Sequence, residues 1–440
     1  MSFRALVINP WVVDFKLYDE WMHPVGLYFL VALLRRGGAD VRYVNCLDRP
    51  ENAAARPNGT GSFPARAFPK PALYKNVKRR YKLYGIPEDE LASLLVSFPA
   101  PDAVFVGSSM TYWLPGLAET FRLVKSVHPR ALVIVGGTSA QLIPAAVQNA
   151  CPGAHLFRGT LFDQPAIRTS GIPFLSSLPT LTPADSLVPA FELLAHPRHG
   201  PALASLGCPY SCSYCASPIL HRGYGSRPPT VVSEELAFLQ ERFGVENFAW
   251  YDDALLYDCG RRFLDLSRAM KQGGLPVSFH APNGLHVRWI TPEVLDAMKH
   301  AGFRTLRFGY ESGAAAFRRD TGGKASEHDL TAAVRLARRS GFTGHDIGVY
   351  LMAGLPGQTP ADIAAEIEFV VSLSVKAKPV LLSPVPGTPL FERYAATYPI
   401  LRETPLSHND TFFITQLPGW DAESVQQVMD LAKAKNAAAV

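Results

Sequence analysis

Cys208, Cys212 and Cys215 stand in the segment "GCPYSCSYCAS" (207–217), which packs half of the chain's six cysteines into eight residues. Thiolates this close together can ligate three irons of a 4Fe–4S cluster, which ordinarily takes four cysteine ligands. A triad leaves one iron open to a molecule from outside the protein. The other readings fit less well. A disulfide leaves an odd thiol and suits a reducing interior poorly. Zinc needs a fourth ligand, and His221, the nearest candidate in sequence, stands at no common zinc spacing. Three unrelated core thiols do not account for the density. Cys46, Cys151 and Cys259 are scattered in or beside apolar segments and read as buried structural thiols.

The surrounding elements must place this triad. "ALASL" (202–206) just before it reads as a strand. Five further strand candidates follow: "NFAWY" (247–251), "VSFHA" (277–281), "TLRFGY" (305–310), "DIGVYLMAG" (346–354) and "PVLLSP" (379–384). Helical segments near 231–243, 258–273, 291–301, 326–340 and 360–374 separate them. Six strand–helix repeats predict a partial (β/α)6 TIM-like barrel, with its active face at the carboxyl ends of the strands. Upstream, "RALVIN" (4–9), "ADVRYVNCL" (39–47), "AVFVGSS" (103–109) and "ALVIVGG" (131–137) alternate with helices at 24–38 and 117–128. That rhythm predicts an α/β fold with a Rossmann-like parallel sheet. No G-x-G-x-x-G follows its first strand, so the usual dinucleotide site is not expected. The expected domains are the sheet at 1–160, a proline-rich linker at 161–199, the barrel at 200–390 and a helical extension at 391–440.

The totals are those of an ordinary globular chain: 440 residues, 48% hydrophobic, 18% charged, net charge +5. No apolar run approaches the roughly 18 residues of a membrane span, and the opening residues lack the pattern of a signal peptide. A cytoplasmic protein without membrane association is expected.

C-x3-C-x2-C with an aromatic residue before the last cysteine, here Cys208, Cys212, Tyr214 and Cys215, resembles the signature of radical S-adenosylmethionine (SAM) enzymes. The resemblance covers about 200–400 well and the whole chain in outline. A sheet domain ahead of the barrel is similar to the cobalamin-binding subclass. The resemblance implies a 4Fe–4S cluster on the three cysteines and SAM chelating the open iron through its amino and carboxylate groups. It also implies reductive cleavage to a deoxyadenosyl radical, and an external electron donor such as flavodoxin or ferredoxin.

Later strand ends can be set against the family pattern. At the second, relatives often carry Gly-Gly-Glu to hold the methionyl amine. This chain has Asp252 and Asp253, either of which is an amine partner or a helix N-cap. At the third, Asn283 and His286 are cavity candidates, Gly284 permits a close backbone approach, and Arg288 suits a carboxylate. Glu311 and Ser312 match the position where similar enzymes hold the ribose hydroxyls. Gly354, Leu355, Pro356 and Gly357 match the family's adenine-facing backbone, and they also read as a plain strand-to-helix turn. "SPVPGTPLF" (383–391) resembles the segment after the sixth strand in cobalamin-type relatives.

Cobalamin is a separate question. The family's D-x-H-x-x-G fingerprint is only partly present: His23 and Gly26 fit, but Asp19 lies four residues before the histidine instead of two. Ser108, Ser109, Gly136 and Gly137 stand at successive strand ends, where such relatives hold the corrin and its nucleotide tail. The alternative is a sheet without ligand that only covers the barrel. With cobalamin the expected reaction is methyl transfer to an unactivated carbon; without it, hydrogen abstraction followed by rearrangement or bond formation. The rival reading is a non-catalytic iron–sulfur or zinc-binding module for partner recognition. The substrate, small molecule or peptide, is not legible. The basic run "KNVKRRYKLYG" (75–85), with Lys75, Lys78, Arg79 and Arg80, reads as a solvated or domain-bridging helix. RNA contact is the alternative, and nucleic acid is not an expected partner.

Overall fold

The computed structural model describes residues 3–168, 171–179, 181–183, 185, 187–194, 197–221, 223–257, 262–272, 274, 276–313, 315, 317 and 325–439. The chain divides into two compact units. One is Met1–Arg198 with Leu220–Arg222 and Ile400–His408; the other is His199–Ile219 with Gly223–Pro399 and Asn409–Val440.

The first unit is organised by a parallel sheet. Its strands are β1 (Arg4–Asn9), β2 (Asp40–Asn45), β3 (Ala103–Val106), β4 (Leu132–Val135) and β5 (His155–Leu156), in the order β2-β1-β3-β4-β5. Ala5, Leu6, Val7 and Ile8 of β1 are fully buried, as a strand covered on both faces requires. Helix α1 (Val25–Arg36) starts after Pro24 and carries Arg35 and Arg36 in its last turn, where cations suit the helix dipole. The strand order reverses between β1 and β3. In open sheets of this kind a ligand crevice forms beyond the carboxyl ends at such a reversal, here beyond Asn9 and Gly107–Ser109.

The basic run at 75–85 departs from expectation. Ala65–Ala67 and Lys82–Tyr84 join Val12–Asp14 in a three-stranded antiparallel sheet with Lys82–Tyr84 in the middle. The basic run is accordingly no helix. Its cations carry no apolar stripe at helical spacing, whereas pairing as a strand buries Leu83 and places Tyr84 in a cluster with Val12, Leu47 and Phe63. Cys46 and Cys151 are buried free thiols, as expected; Cys259 lies outside the described residues.

The second unit contains six parallel strands in chain order: β6 (Gly200–Ala202), β7 (Asn247–Trp250), β8 (Ser278–His286), β9 (Phe303–Glu311), β10 (Ile347–Ala353) and β11 (Lys376–Leu381). Helices α2 (Pro229–Phe243), α3 (Arg262–Gln272), α4 (Pro292–Ala301), α5 (Glu327–Arg339) and α6 (Pro360–Ser372) connect them. All six carboxyl ends therefore share one rim. The first strand begins earlier than expected, because Ser205–Leu206 leaves the sheet and pairs antiparallel with Gly225–Ser226. Gly200 makes room for this short strand: a Cβ there would lie 2.8 Å from the Phe248 ring.

Helix α7 (Ala422–Ala439) finishes the edge of β11. Asn436 accepts from the Ala377 N–H through Oδ1 and donates to the Ala377 carbonyl through Nδ2, both at 2.8 Å. One amide thus satisfies both backbone groups of an edge residue. Replacing Asn436 with leucine leaves a part-buried N–H and C=O unpaired. The expected loss is about 1–3 kcal/mol, read as a lower unfolding midpoint in urea with an unchanged slope.

Candidate functional site

The triad occupies the loop after β6. The stem of that loop is clamped from below. Asp252, buried at the end of β7, accepts from the Ala204 N–H at 3.1 Å and from the Ser205 hydroxyl. Burial pushes its carboxyl up to about 6 against these donors. The Arg227 guanidinium donates to the Leu203 carbonyl at 2.9 Å and pairs with Glu235 of α2, with both side chains nearly inaccessible. Further along, Tyr210 packs on the His286 ring at 4.7 Å and accepts a hydrogen bond from Trp289 Nε1. The loop is therefore held by elements from three strand ends.

The cysteines themselves are partly exposed. Cys215 N–H donates to the Cys212 carbonyl at 3.1 Å, which makes a turn inside the motif. Burial pushes the Cys215 thiol up to about 11, the Ser217 N–H on its sulfur at 3.4 Å lowers it, and Asp253, Cys212 and Cys208 raise it further. Cys208 and Cys212 are thus both within electrostatic reach of the Cys215 sulfur. Among the described residues, no three His, Cys, Asp or Glu converge tightly enough to hold a single metal ion. The donor set fits the cluster, whose irons hold cysteine as thiolate and so offset the upward push on the thiols.

Tyr214 brings the far rim to this loop. Burial holds its phenol far above the usual range, and Glu311, Cys212 and Cys215 act in the same direction. Glu311 is therefore a neighbour of the triad although 96 residues separate it from Cys215. It closes β9 with φ +66°, in the left-handed region that a glutamate seldom adopts. The next residues hold it there. Ser312 Oγ donates to Glu366 Oε1 of α6 at 2.7 Å, and the Gly313 N–H donates to the same oxygen at 3.2 Å. Gly313 has no alternative, since a Cβ would lie 1.7 Å from the Tyr310 hydroxyl. Ser312 is completely buried, so its hydroxyl supports Glu311 from inside the fold.

At β7 the two acids are used differently. Both oxygens of Asp252 face the loop stem, while the exposed Asp253 accepts from Ser217 Oγ at 2.6 Å. Asn283 donates to the carbonyls of Tyr251 and Asp252 at 3.0 and 3.1 Å. What approaches Gly284 closely is the backbone of Gly309, 3.0 Å from where a Cβ would stand. Arg288 is exposed and lies 3.8 Å from Asp329 of α5. The 354–357 backbone turns with φ +104° at Gly354 and +81° at Gly357. Gln358 Oε1 accepts from the Gly354 and Leu355 N–H groups at 2.8 and 3.1 Å, Tyr394 donates to the Gly354 carbonyl, and Trp420 Nε1 donates to the Gln358 carbonyl. Sequence reasoning passed over Ser217, Gln358, Glu366 and Tyr394. Gln358 directly follows Gly357 and Ser217 stands two residues after Cys215; Glu366 and Tyr394 carry no local signal.

In the first unit, β3 and β4 end in a pair of tied loops. Ser108 Oγ donates to the Gly136 carbonyl at 2.7 Å, and Ser139 Oγ to the Ser109 carbonyl at 2.8 Å. Gly137 has φ +97°, and a Cβ there would lie 2.3 Å from the Ser108 carbonyl oxygen, so only glycine fits. Ser109, Gly137 and the apolar Met110 remain exposed. Asp19, four residues before His23, holds the chain around it. Its oxygens accept from Arg49 and from the Met22 N–H, both at 2.9 Å.

Residues 203–370 match the model of the Radical SAM superfamily. An uncharacterized methyltransferase, PH0819, of Pyrococcus horikoshii is 26% identical over 345 residues, 70% of this chain and 73% of the relative. The bacteriochlorophyllide d C-12(1)-methyltransferase of Chlorobaculum tepidum is 26% identical over 50% of this chain and 48% of its own. Among solved structures, the radical SAM methyltransferase TsrM of Kitasatospora setae, with cobalamin and a [4Fe-4S] cluster bound, superposes with a TM-score of 0.67. The match spans 98% of this chain and 91% of TsrM at 16% identity. It shows that sheet and barrel together form a known two-part fold. No helix among the described residues is long and apolar enough to cross a membrane.

Proposed function

We propose, from the premise that this chain is a radical SAM enzyme with its domain at residues 203–370, that it is a cobalamin-dependent methyltransferase acting on an unactivated carbon. The family brings a 4Fe–4S cluster, SAM and the need for an external reductant; the reaction and the residue roles are the proposal. When bound, cluster and cobalamin supply the one-electron and methyl-carrying chemistry, and the protein supplies binding, orientation and exclusion of water.

Cys208, Cys212 and Cys215 hold the cluster, with Tyr214 packed beside them. Glu311 accepts from the ribose hydroxyls of SAM, and Ser312 positions it through Glu366. Asp253, on the exposed side of the β7 end, takes the methionyl amine, while Asp252 braces the loop stem. The backbone of Gly354, Leu355, Pro356 and Gly357 faces the adenine. In the first unit, residues 1–160 hold the corrin at the β1/β3 reversal. Ser109, Gly136 and Gly137 offer backbone and hydroxyl contacts there, Ser108 braces their loops, and exposed Met110 offers an apolar one. Two relatives named for carbon positions support methyl transfer, the C-12(1) enzyme above and a hopanoid C-2 methylase of Rhodopseudomonas palustris. One TsrM structure contains a tryptophan substrate.

The single observation that carries the reading is that the cysteine loop after β6 and Glu311 at the end of β9 stand at the carboxyl ends of one parallel sheet, with Tyr214 within electrostatic reach of both. The experiment is anaerobic reconstitution with iron, sulfide and hydroxocobalamin, followed by SAM and a strong reductant. Corrin absorption that stays with the protein through gel filtration, together with formation of S-adenosylhomocysteine or deoxyadenosine, is expected. A protein that takes up the cluster but neither retains corrin nor consumes SAM defeats the proposal. Within it, Glu311→Gln should raise the SAM concentration for half-maximal turnover about 10–100-fold, since one charged hydrogen-bond acceptor is lost. Iron content should not change. An unaltered SAM dependence would remove Glu311 from the ribose.

A further inference from the structure

The stretch from Arg66 to Lys82 carries seven basic residues and no acidic one, so the chain's net +5 becomes −2 once it is set aside. The hairpin built from it brings six of these cations, Arg66, Lys70, Lys78, Arg79, Arg80 and Lys82, around one cleft of about 440 Å³. Its walls are fixed. Ala67 pairs with Lys82 across the antiparallel strands, and the Phe68 N–H donates to the Tyr81 carbonyl at 3.1 Å. Phe15, Tyr74 and Tyr81 pack against one another with ring centroids 4.9, 5.0 and 5.3 Å apart, and the Tyr74 hydroxyl donates to the Leu406 carbonyl at 2.6 Å. The Arg66 guanidinium lies 5.0 Å over the Trp11 ring and donates to the Ile86 carbonyl, and Lys70 donates to the Val77 carbonyl.

Apart from Lys82, which stands opposite the buried Asp14 in the strand register, these cations have no carboxylate set against them among the described residues. Elsewhere on the surface Arg35, Arg122, Arg268 and Lys435 each pair with a carboxylate. Among the described residues, no acid forms an ion pair with Arg66, Lys70, Lys78, Arg79, Arg80 or Lys82, and no acidic side chain lines the cleft. Six like charges around a preformed cleft repel one another until an anion enters. The volume lies within the range of small-ligand pockets, about 300–1,000 Å³. Phosphate answers this charge best. Each phosphoryl group brings up to about two negative charges and three acceptor oxygens in a small volume, and three of the six cations are arginines, whose forks match it.

We infer that this cleft binds a ligand carrying two or more linked phosphates, either a free polyphosphate or nucleotide, or the backbone of a single-stranded RNA. The inference is independent of the radical chemistry. Its test uses the full chain, with sodium tripolyphosphate in calorimetry and a labelled single-stranded RNA in fluorescence anisotropy, at low and physiological salt. Saturable binding of tripolyphosphate that weakens as salt rises is expected. The exposed triple variant Lys78→Ala, Arg79→Ala, Arg80→Ala should weaken it about tenfold or more, with thermal unfolding unchanged. RNA affinity that grows with length and is competed by tripolyphosphate identifies a nucleic-acid backbone. RNA no tighter than tripolyphosphate at any length identifies a free ligand. Equal binding by parent and triple variant, or polyglutamate binding as tightly as tripolyphosphate, overturns the inference.

Discussion

Replacing Cys208, Cys212 and Cys215 together by alanine is expected to leave a folded protein that incorporates no cluster and has lost all SAM-dependent turnover. The loop does not rely on its thiols for shape. Its stem is held by Asp252 and Arg227, and its tip by Tyr210 on His286 and Trp289. The sulfurs are partly exposed, so trimming them creates no large core cavity of the kind that destabilises strongly. Iron and sulfide analysis after anaerobic reconstitution, with the visible absorption of the cluster, reads the first loss. Formation of S-adenosylhomocysteine and deoxyadenosine reads the second. Each single Cys→Ala variant should fall nearly as far, because two anchors do not retain a cubane through purification. A triple variant that still carries iron and sulfide in parental amounts would move the ligands elsewhere in the chain.

The second large effect concerns stability. Arg227→Met strips the partner from Glu235, whose carboxyl is already pushed up by burial and drawn back down by that guanidinium. Side chains exposed by only 1% and 5% place the pair in the interior. Breaking such a pair from one side costs about 3–5 kcal/mol, because the other charge stays buried without compensation. The Leu203 carbonyl also loses its donor. Urea unfolding of the cluster-free protein should show the loss, and the double variant Arg227→Met, Glu235→Leu should recover most of it. A single variant within ~1 kcal/mol of the parent would show that the pair is not buried in solution. Leu203 begins the cysteine loop, so the single variant should also retain less iron, in parallel with its lost stability.

Much of this protein's architecture is written in short-range sequence patterns. The strand–helix alternation and its six-fold repeat in the second half rest on short-range patterning, apolar runs broken by Pro and Gly, and the sheets follow it closely. The departures occur where a local preference met a distant partner. "KNVKRRYKLYG" has the charge of a solvated helix, but Leu83 is buried and Tyr84 finds Val12, Phe63 and Leu47. Ser205–Leu206 continues an apolar run, yet leaves the barrel to pair with Gly225–Ser226. The segment Ile400–His408 groups with the first unit, where His408 Nδ1 meets the Thr111 hydroxyl at 2.9 Å; nothing local announces that return.

The amino-acid order by itself determined which chemistry the chain can host. Three thiols at spacings of three and two residues, with an aromatic between the last two, are a property of one short loop and need no knowledge of the rest. It could not assign the oxygens. Asp252 and Asp253 are chemically alike and adjacent, and only the tertiary structure turns one toward the Ala204 N–H and the other toward Ser217. Ser312 stands beside Glu311 in sequence, but its hydroxyl is taken by Glu366 from a helix 54 residues on. Ligand spacing is written locally, whereas the direction of a polar side chain is set by whichever long-range partner satisfies it once buried.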